Sequence, residues 1–224
     1  MLLTIPGLLN AAQLEKIHQV LAEGTFVDGR LTAGFAAARV KNNLEMQADP
    51  ERMKLLIRIL MYSLGHNEAF RFGPLPLRVA DPIFARYEPG MTYGDHVDDP
   101  IMGSSGPRFR SDVSMTVFLN PPESYDGGEL RVRTSFGETK VKLPAGDAVV
   151  YPSASLHRVE PVTRGVRLVA LTWVQSYVRD AARRELLYEL NLAREQLLRE
   201  SPETETTGYV DRSYSNLLRM WADL

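Results

Sequence analysis

The chain has 224 residues, of which 44% are apolar and 24% charged, and this ordinary globular composition excludes the disordered and fibrous classes. Lysine and arginine together number 26 against 28 aspartates and glutamates, so no basic surplus exists for a phosphate backbone, and we expect no nucleic-acid partner. The absence of cysteine excludes disulfides, thiolate metal sites and iron–sulfur clusters, so any metal must be held by histidine or carboxylate side chains.

Two amphipathic helices are predicted in the first third of the chain. Asn10 followed by Gln13 is typical of a helix start, and apolar residues at helical spacing follow up to Gly24. Asp49 followed by Pro50 marks a second start, because aspartate caps helices and proline fits their first turn. We expect this second helix to pack against a sheet through one apolar stripe, which comprises Met53, Leu56, Ile57, Leu60, Met61 and Leu64.

A β-rich region of short strands begins at about Pro82. Turns that contain glycine separate the strands, at 88–90, 125–128, 136–137 and 144–147. No helical crossover intervenes, which disfavours a parallel sheet and favours an α+β protein that is mainly β, with an antiparallel jelly roll of two sheets and one mouth. The predicted strands are IFARYE, DVSMTVFLN, ELRVRT, TKVKL, DAVVYP, HRVEPV and GVRLVALTWVQ.

The chain becomes helical again after Val178. The first predicted helix ends at Arg199 and has one apolar stripe, formed by Leu186, Leu190, Ala193 and Leu197. A polar connector, SPETETTG, precedes a last helix whose apolar residues need burial on the domain or on a second subunit; these are Leu217, Leu218 and Trp221. We accordingly expect one domain with N-terminal supporting helices over 1–177 and a C-terminal helical extension over 178–224.

Two features of the sequence bear on where the protein resides. Every apolar run falls far short of the ~20 residues that a membrane span needs. The first residues carry no basic leader of the kind found in signal peptides. We therefore expect a cytoplasmic protein without a membrane partner.

The four histidines differ in their surroundings. His18 and His66 lie on predicted helices, where surface or packing roles are expected. His96 and Asp98 occupy alternate positions of YGDHVDDP, and alternate side chains of an extended segment share a face. His157 begins a later strand that jelly-roll closure can bring opposite. Two imidazoles and a carboxylate form the facial triad of non-haem Fe(II) sites, although H-x-D also occurs in ordinary polar strands and turns.

Arg167 follows His157 by ten residues within the apolar run VRLVALTWV. Its guanidinium would enter the sandwich interior or its mouth, and there it needs an anionic partner to offset desolvation. A dicarboxylate co-substrate and an internal Asp or Glu are both suitable partners, and the spacing does not decide between them. Trp173 shares the face of Arg167 by strand parity, and either packs behind a site there or belongs to the core.

Three long segments resemble the Fe(II)/2-oxoglutarate-dependent dioxygenases of the prolyl-4-hydroxylase type. The closer resemblance is to the bacterial PKHD-type hydroxylases, which are linked with iron uptake, and it runs nearly end to end, including VKNN near Lys41 and the helical tail. It implies a double-stranded β-helix core over 1–177, and iron held by a catalytic triad of His96, Asp98 and His157. The segments are RYEPGMTYGDHVDDP, SDVSMTVFLNPPESYDGGELRV and VKLPAGDAVVYPSASLHRVEPVTRGVRLVALTWVQSYVRD.

The same resemblance implies how the co-substrate is held. Arg167 would grip the distal carboxylate of 2-oxoglutarate, and Tyr87 would donate a hydrogen bond to the co-substrate. A second co-substrate tyrosine of some relatives is replaced by Phe118 here. The turn at 126–129 is expected only to set a hairpin.

The implied reaction hydroxylates a substrate with O2 and 2-oxoglutarate, and releases succinate and CO2. The substrate would be a peptidyl residue or a small molecule related to iron uptake; L-ascorbate is expected as a reductant, and the C-terminal helices as an oligomer contact. Two other classes stay open. One is a cupin-like Zn-dependent hydrolase or isomerase, since two histidines and a carboxylate also hold zinc. The other is a non-catalytic module that senses iron or 2-oxoglutarate.

The segment 99–110, DPIMGSSGPRFR, follows the H-x-D motif and is rich in Pro, Gly and Ser. This composition favours a mobile surface loop over a strand. Its position favours a lid over the iron mouth, with a plain connector as the alternative. On the lid interpretation, shortening 103–107 would uncouple decarboxylation from hydroxylation.

Overall fold

The computed structural model describes residues 1–47, 49–103 and 108–224. The α-helices are α1 (Ala11–Ala22), α2 (Pro50–His66), α3 (Glu68–Phe72), α4 (Ala181–Glu200) and α5 (Glu205–Trp221). The first seven strands, up to the histidine of the H-x-D motif, are β1 (Leu3–Ile5), β2 (Thr25–Asp28), β3 (Lys41–Asn42), β4 (Leu44–Gln47), β5 (Pro76–Val79), β6 (Ile83–Tyr87) and β7 (Thr92–His96). The later strands are β8 (Ile101–Met102), β9 (Phe109–Arg110), β10 (Val113–Phe118), β11 (Tyr125–Gly127), β12 (Leu130–Thr134), β13 (Gly137–Val141), β14 (Ala148–Pro152), β15 (His157–Val159), β16 (Val162–Gly165) and β17 (Arg167–Ser176).

Two antiparallel sheets form the centre of the protein. The larger sheet has the order β1-β14-β10-β17-β6-β4-β2, with β5 added alongside β17. The smaller one has the order β13-β12-β15-β7-β3, and the pairs β11-β16 and β8-β9 lie outside both. Strands that are distant in sequence are neighbours in each sheet, as in a double-stranded β-helix. The predicted jelly roll, mainly β with helices before and after it, is therefore confirmed.

Strand β10 shows how the large sheet serves two cores. All six of its residues are buried, and alternate side chains face opposite ways. Met115 and Val117 join a cluster that includes residues of α1, α2 and α3. Phe118 joins the cluster between the two sheets, and Ser114 and Thr116 line the space beside it. The helices thus cover one face of the large sheet, and the small sheet covers the other.

Both predicted helix starts are confirmed by their capping contacts. The Asn10 side chain accepts from the backbone N–H of Gln13, and the Gln13 side chain accepts from the backbone N–H of Asn10. Asp49 accepts from the two backbone N–H groups of Glu51 and Arg52 at the start of α2, beside Pro50. The α2 stripe packs against the large sheet through its fully buried leucines, which are Leu56, Leu60 and Leu64.

Two predictions in the β-region were wrong in detail. The run HRVEPV is two strands, β15 and β16, which belong to different sheets. Tyr125–Gly127 is a strand rather than part of a turn, because it pairs with β16 across a bulge at Asp126. Its glycines have positive φ, as the turn prediction required, but they serve a bulge and not a hairpin.

The C-terminal helices also differ from the prediction. The buried residues of α4 are Arg184, Leu187 and Asn191, whereas Leu186 is 56% exposed, so the predicted stripe was one residue out of phase. Helix α5 begins inside the predicted connector, because Thr204 caps it by accepting from the N–H of Thr207. Its apolar residues pack with Leu187 on the same chain; they are Leu217, Leu218 and Trp221.

Alanine at position 187 is expected to destabilise the protein far more than alanine at position 186. Leu187 is fully buried between the C-terminal helices and the domain, so Leu187→Ala leaves a cavity and costs about 2–5 kcal/mol. Leu186→Ala, on the exposed side, changes the unfolding free energy by less than about 0.5 kcal/mol. Urea unfolding of the two variants measures the difference. Equal losses would show that α4 packs through the other face.

Candidate active site

A cavity of about 980 Å³ lies between the two sheets and opens at one end. Residues of both sheets line it, and polar side chains such as Ser114 and Thr116 lie among aromatic and aliphatic ones. His96, Asp98, His157 and Arg167 all lie on its wall. The structure therefore brings the four principal residues predicted from the sequence into one space.

The pairing of β7 with β15 brings the two histidines together. The antiparallel register makes His96 and His157 direct partners, with a bulge before the next pair. Asp98 lies two residues past the end of β7, with carboxylate oxygens 3.9 Å from His96 Nε2 and 3.8 Å from His157 Nε2. One ligand atom from each residue falls within 4.8 Å of the others, as a single metal ion requires. The donors are two nitrogens and a carboxylate oxygen, a set that suits Fe(II).

Backbone carbonyls orient both imidazoles. Nδ1 of His96 lies 2.8 Å from the Gly94 carbonyl oxygen, and Nδ1 of His157 lies 3.0 Å from that of Ser155. With the proton on Nδ1 donated to these carbonyls, each Nε2 is left as an acceptor that faces Asp98. Burial, and secondly the neighbouring His157, lowers the pKa of His96 to about 4. His96 is therefore neutral at physiological pH, as a metal ligand must be.

Asp98 is held by a serine that our sequence analysis missed. The Ser114 hydroxyl donates to Asp98 Oδ2, and it lies 2.7 Å from the Ser153 hydroxyl. The signal was present in the sequence: Ser114 and Thr116 are polar residues at alternate positions of an otherwise apolar strand. Such alternation places them on the face that looks into the cavity.

Arg167 has no charged partner in the part of the chain that the structure describes. The side chain is 1% exposed, and its Nε and Nη1 atoms are buried without a hydrogen-bond partner. The internal Asp or Glu that the sequence left open is thus absent among the described residues. A buried guanidinium stays charged, so two unsatisfied donors carry a substantial cost unless a ligand satisfies them. The chemistry of this position fits an anionic ligand inside the cavity.

Aromatic residues surround the Arg167 guanidinium. Its centre lies 4.9 Å from the Tyr87 ring and 5.7 Å from the Phe118 ring. Arg167 and Tyr87 are direct partners across β17 and β6. Burial raises the pKa of Tyr87 to about 12, which keeps its hydroxyl protonated. Trp173 lines the same cavity, as strand parity predicted.

The comparisons with known proteins agree with this geometry. Residues 82–175 match the 2OG-Fe(II) oxygenase superfamily, and residues 180–223 match the PKHD-type hydroxylase C-terminal domain. A PKHD-type hydroxylase of Thioalkalivibrio sulfidiphilus is 54% identical over 224 residues, and one of Paracoccus denitrificans is 44% identical over 227, each alignment covering 100% of both chains. This chain belongs to the PKHD-type hydroxylase family. It is therefore an oxidoreductase of the Fe(II)- and 2-oxoglutarate-dependent dioxygenase class.

Solved structures share the fold of this PKHD-type hydroxylase. A prolyl-4-hydroxylase of Pseudomonas putida aligns with a TM-score of 0.53 at 23% identity, covering 78% of this chain and 92% of that one. A prolyl hydroxylase of Trichoplax adhaerens, in complex with a hypoxia inducible factor peptide fragment, aligns with a TM-score of 0.57 at 18% identity, covering 77% and 82%. At these identities the likeness concerns the jelly roll alone.

Gly128 has a role in this PKHD-type hydroxylase that the sequence did not reveal. Its φ of 64° favours glycine, and a Cβ there would lie 3.0 Å from Arg167 Cδ and 2.9 Å from a Val162 methyl. The glycine thus leaves room for the arginine side chain. The expectation that this segment only sets a hairpin was wrong, because β11 pairs with β16 and Gly128 borders the Arg167 side chain.

The other two histidines lie away from the cavity, as expected. His18 Nε2 lies 2.7 Å from the Leu119 carbonyl oxygen, and His66 Nδ1 lies 2.8 Å from that of Tyr62. Both are packing or surface contacts of helices. No helix in the described part of the chain is long and apolar enough to cross a membrane.

The segment 99–110 is only partly described. Its two ends pair as the short strands β8 and β9, where we had expected a loop. Ile101, Met102 and Phe109 from these strands line the cavity. The lid hypothesis and the proposed shortening of 103–107 fall largely on 104–107, which lie outside the described residues.

Proposed function

We propose that this PKHD-type hydroxylase binds Fe(II) through His96, Asp98 and His157 and 2-oxoglutarate through Arg167. It then hydroxylates a peptidyl residue or a small molecule related to iron uptake, and releases succinate and CO2. The observation that carries the proposal is the buried guanidinium of Arg167: the residue lines the same cavity as the triad, and no described carboxylate pairs with it. A dicarboxylate that binds a metal with one end and Arg167 with the other would serve the triad and the buried guanidinium together.

The residues of the triad each have a defined task. Bound Fe(II) and 2-oxoglutarate supply O2 activation and the oxidation of a substrate C–H bond to an alcohol. The two imidazoles would bind the metal through Nε2, while the Gly94 and Ser155 carbonyls orient their rings. The Asp98 carboxylate lowers the net charge of the site, and Ser114 holds its orientation through a hydrogen bond. Three protein ligands leave further positions for small molecules.

Arg167 orients the co-substrate. Its planar guanidinium would hold the distal carboxylate through charge-assisted hydrogen bonds, and an ammonium group does not provide the same planar set of donors. Tyr87 lies beside it and supplies a protonated hydroxyl for a further hydrogen bond. Phe118 offers no hydroxyl, so Arg167 and Tyr87 are the residues that we assign to the distal end. Gly128 leaves the space in which the arginine lies.

The remaining assignments extend this proposal. We place the dioxygenase domain at 1–177 and a helical extension at 178–224, in a cytoplasmic protein that uses L-ascorbate as a reductant. The cavity of about 980 Å³ has room for a substrate beside 2-oxoglutarate. Homo-oligomer contacts would use exposed apolar residues of α4 and α5, of which Leu186, Leu192 and Met220 are examples.

Succinate release separates the proposal from its two competitors. A zinc hydrolase has no use for a dicarboxylate anchor, and a sensor binds 2-oxoglutarate without consuming it. A screen of peptides and small metabolites for substrate-stimulated succinate release identifies the substrate, and mass spectrometry of the product should show the gain of one oxygen atom. Fe(II)-dependent hydrolysis without succinate would favour the hydrolase class.

Each of His96→Ala, Asp98→Ala and His157→Ala is expected to abolish iron binding and turnover while the fold survives. The three side chains form one coordination unit at the edge of a core that is built independently. Metal titration and succinate release measure the loss, and circular dichroism confirms folding. Unimpaired succinate production by any of the three variants would refute the iron site.

Arg167→Ala should raise the 2-oxoglutarate concentration needed for half-maximal succinate release by at least roughly 10–100-fold, since even one charge-assisted hydrogen bond contributes about 1.5–3 kcal/mol. Arg167→Lys should restore only part of the affinity, because lysine lacks the planar fork. Iron affinity is the internal control and should change little. An alanine variant with normal 2-oxoglutarate affinity would make Arg167 a structural residue.

A further inference from the structure

A buried ion pair lies in the cavity wall apart from the triad and Arg167. Lys41 Nζ is 2.5 Å from Glu45 Oε1, and the two side chains are only 7% and 4% exposed. Thr32 completes the cluster: its hydroxyl donates to Glu45 Oε2 at 2.6 Å and accepts from Lys41 Nζ at 3.1 Å. The carboxylate thus has a partner on each oxygen, and the cluster needs no external ligand.

The pair joins the two sheets at the point where the chain crosses between them. Lys41 lies in β3, which pairs with β7 of the small sheet, opposite Tyr93. Glu45 lies in β4, which pairs with β6 of the large sheet, opposite Ala85. The ion pair therefore joins a strand of the small sheet to a strand of the large sheet.

A line of contacts leads from this pair to a metal ligand. The Lys41 ammonium lies 5.3 Å from the centre of the Tyr93 ring, within the range of a cation–π interaction. The Tyr93 ring stacks on the His96 imidazole, with centroids 3.6 Å apart and planes 11° apart. The ion pair thus contacts the tyrosine ring, and the tyrosine ring contacts the histidine. This histidine, His96, is a proposed iron ligand.

Stability alone is a weak explanation for this pair. Two charges removed from water lose solvation that their mutual attraction only partly restores, so apolar residues of similar size commonly serve a core as well or better. Apolar side chains at positions 41 and 45 could also pack between the two sheets. They would not supply the cation that lies over the Tyr93 ring. The Lys41 ammonium is that cation, and the Glu45 carboxylate fixes the ammonium.

We propose that Lys41, held by Glu45, is a positioning residue that fixes the Tyr93 ring and through it the orientation of the His96 imidazole. The inference rests on the proposed function in one respect, namely that His96 binds the metal. Lys41 acts through Tyr93 and contacts neither metal nor co-substrate. Tyr93 contributes through its ring, so its hydroxyl is dispensable for this role.

The test measures Co(II) affinity in the absence of 2-oxoglutarate and substrate, by visible absorption of the full-length protein. The double variant Lys41→Met/Glu45→Leu removes both charges and leaves none unpaired. Its metal-free melting temperature should stay within a few degrees of wild type, whereas its Co(II) affinity should fall roughly 10–100-fold, as for lost supporting contacts of metal ligands. The control Lys140→Met breaks the outward Lys140–Glu129 pair of the small sheet and should retain wild-type affinity.

Tyr93 variants test the route of the effect. Tyr93→Phe keeps the ring and should keep the affinity, whereas Tyr93→Leu should lose as much as the double variant. Combining Tyr93→Leu with the double variant should cause no further loss, because all three side chains act on one contact. Should the double variant fail to melt cooperatively, Tyr93→Leu carries the test, since it leaves the ion pair intact.

Three results would overturn the proposal. The first is wild-type Co(II) affinity in the double variant or in Tyr93→Leu. The second is a combined variant whose loss of Co(II) affinity equals the sum of the losses in Tyr93→Leu and in the double variant. The third is a Lys41→Met variant that weakens only 2-oxoglutarate binding, which would make Lys41 a co-substrate contact. Absence of Co(II) binding by the wild-type protein would instead refute the iron site itself, so the two failures are distinct.

Discussion

Arg167 carries a positive charge into the space between two sheets, where no described carboxylate pairs with it. Most of the cavity's arrangement follows from this one group. Tyr87 and Phe118 pack around the guanidinium, and Gly128 leaves out the Cβ that would displace it. A charge buried in this way needs an anion, and the triad in the same cavity offers three ligand atoms to a metal that would hold the anion's other end. On the proposed function, the pocket suits a ligand with two acidic ends.

Strand alternation explains how a well-packed jelly roll keeps such a cavity. In β10 the odd positions fill the helix-side core, and the even positions Ser114 and Thr116 face inward, where the first supports Asp98. In β17 the odd positions Arg167 and Trp173 face inward. Of the inward polar groups, Ser114 thus lies beside a candidate metal ligand, and Arg167 lies in the same cavity as the candidate metal ligands. The register of β7 against β15 completes the site, because it sets His157 opposite His96.

The features that the sequence predicted well are those with short-range signals. Capping residues located both N-terminal helices, and the H-x-D spacing with the later histidine located the triad. The features it missed depend on distant contacts. The helical pattern of apolar residues does not show which of Leu186 and Leu187 is buried. Packing against the domain buries Leu187. No local pattern distinguishes Lys41 and Glu45 from other charged residues, and only the crossing between two sheets buries them together.

Ligand truncation tests the central claim, that Arg167 anchors a dicarboxylate, most directly. 2-Oxopentanoate keeps the keto acid end of 2-oxoglutarate and has a methyl group in place of the distal carboxylate. Both compounds are titrated anaerobically into the metal-loaded wild-type protein and into Arg167→Leu. The account predicts that wild type prefers 2-oxoglutarate by roughly 10–100-fold and that the variant shows no preference, since the two charge-assisted hydrogen bonds are gone. An equal preference in both proteins would contradict it.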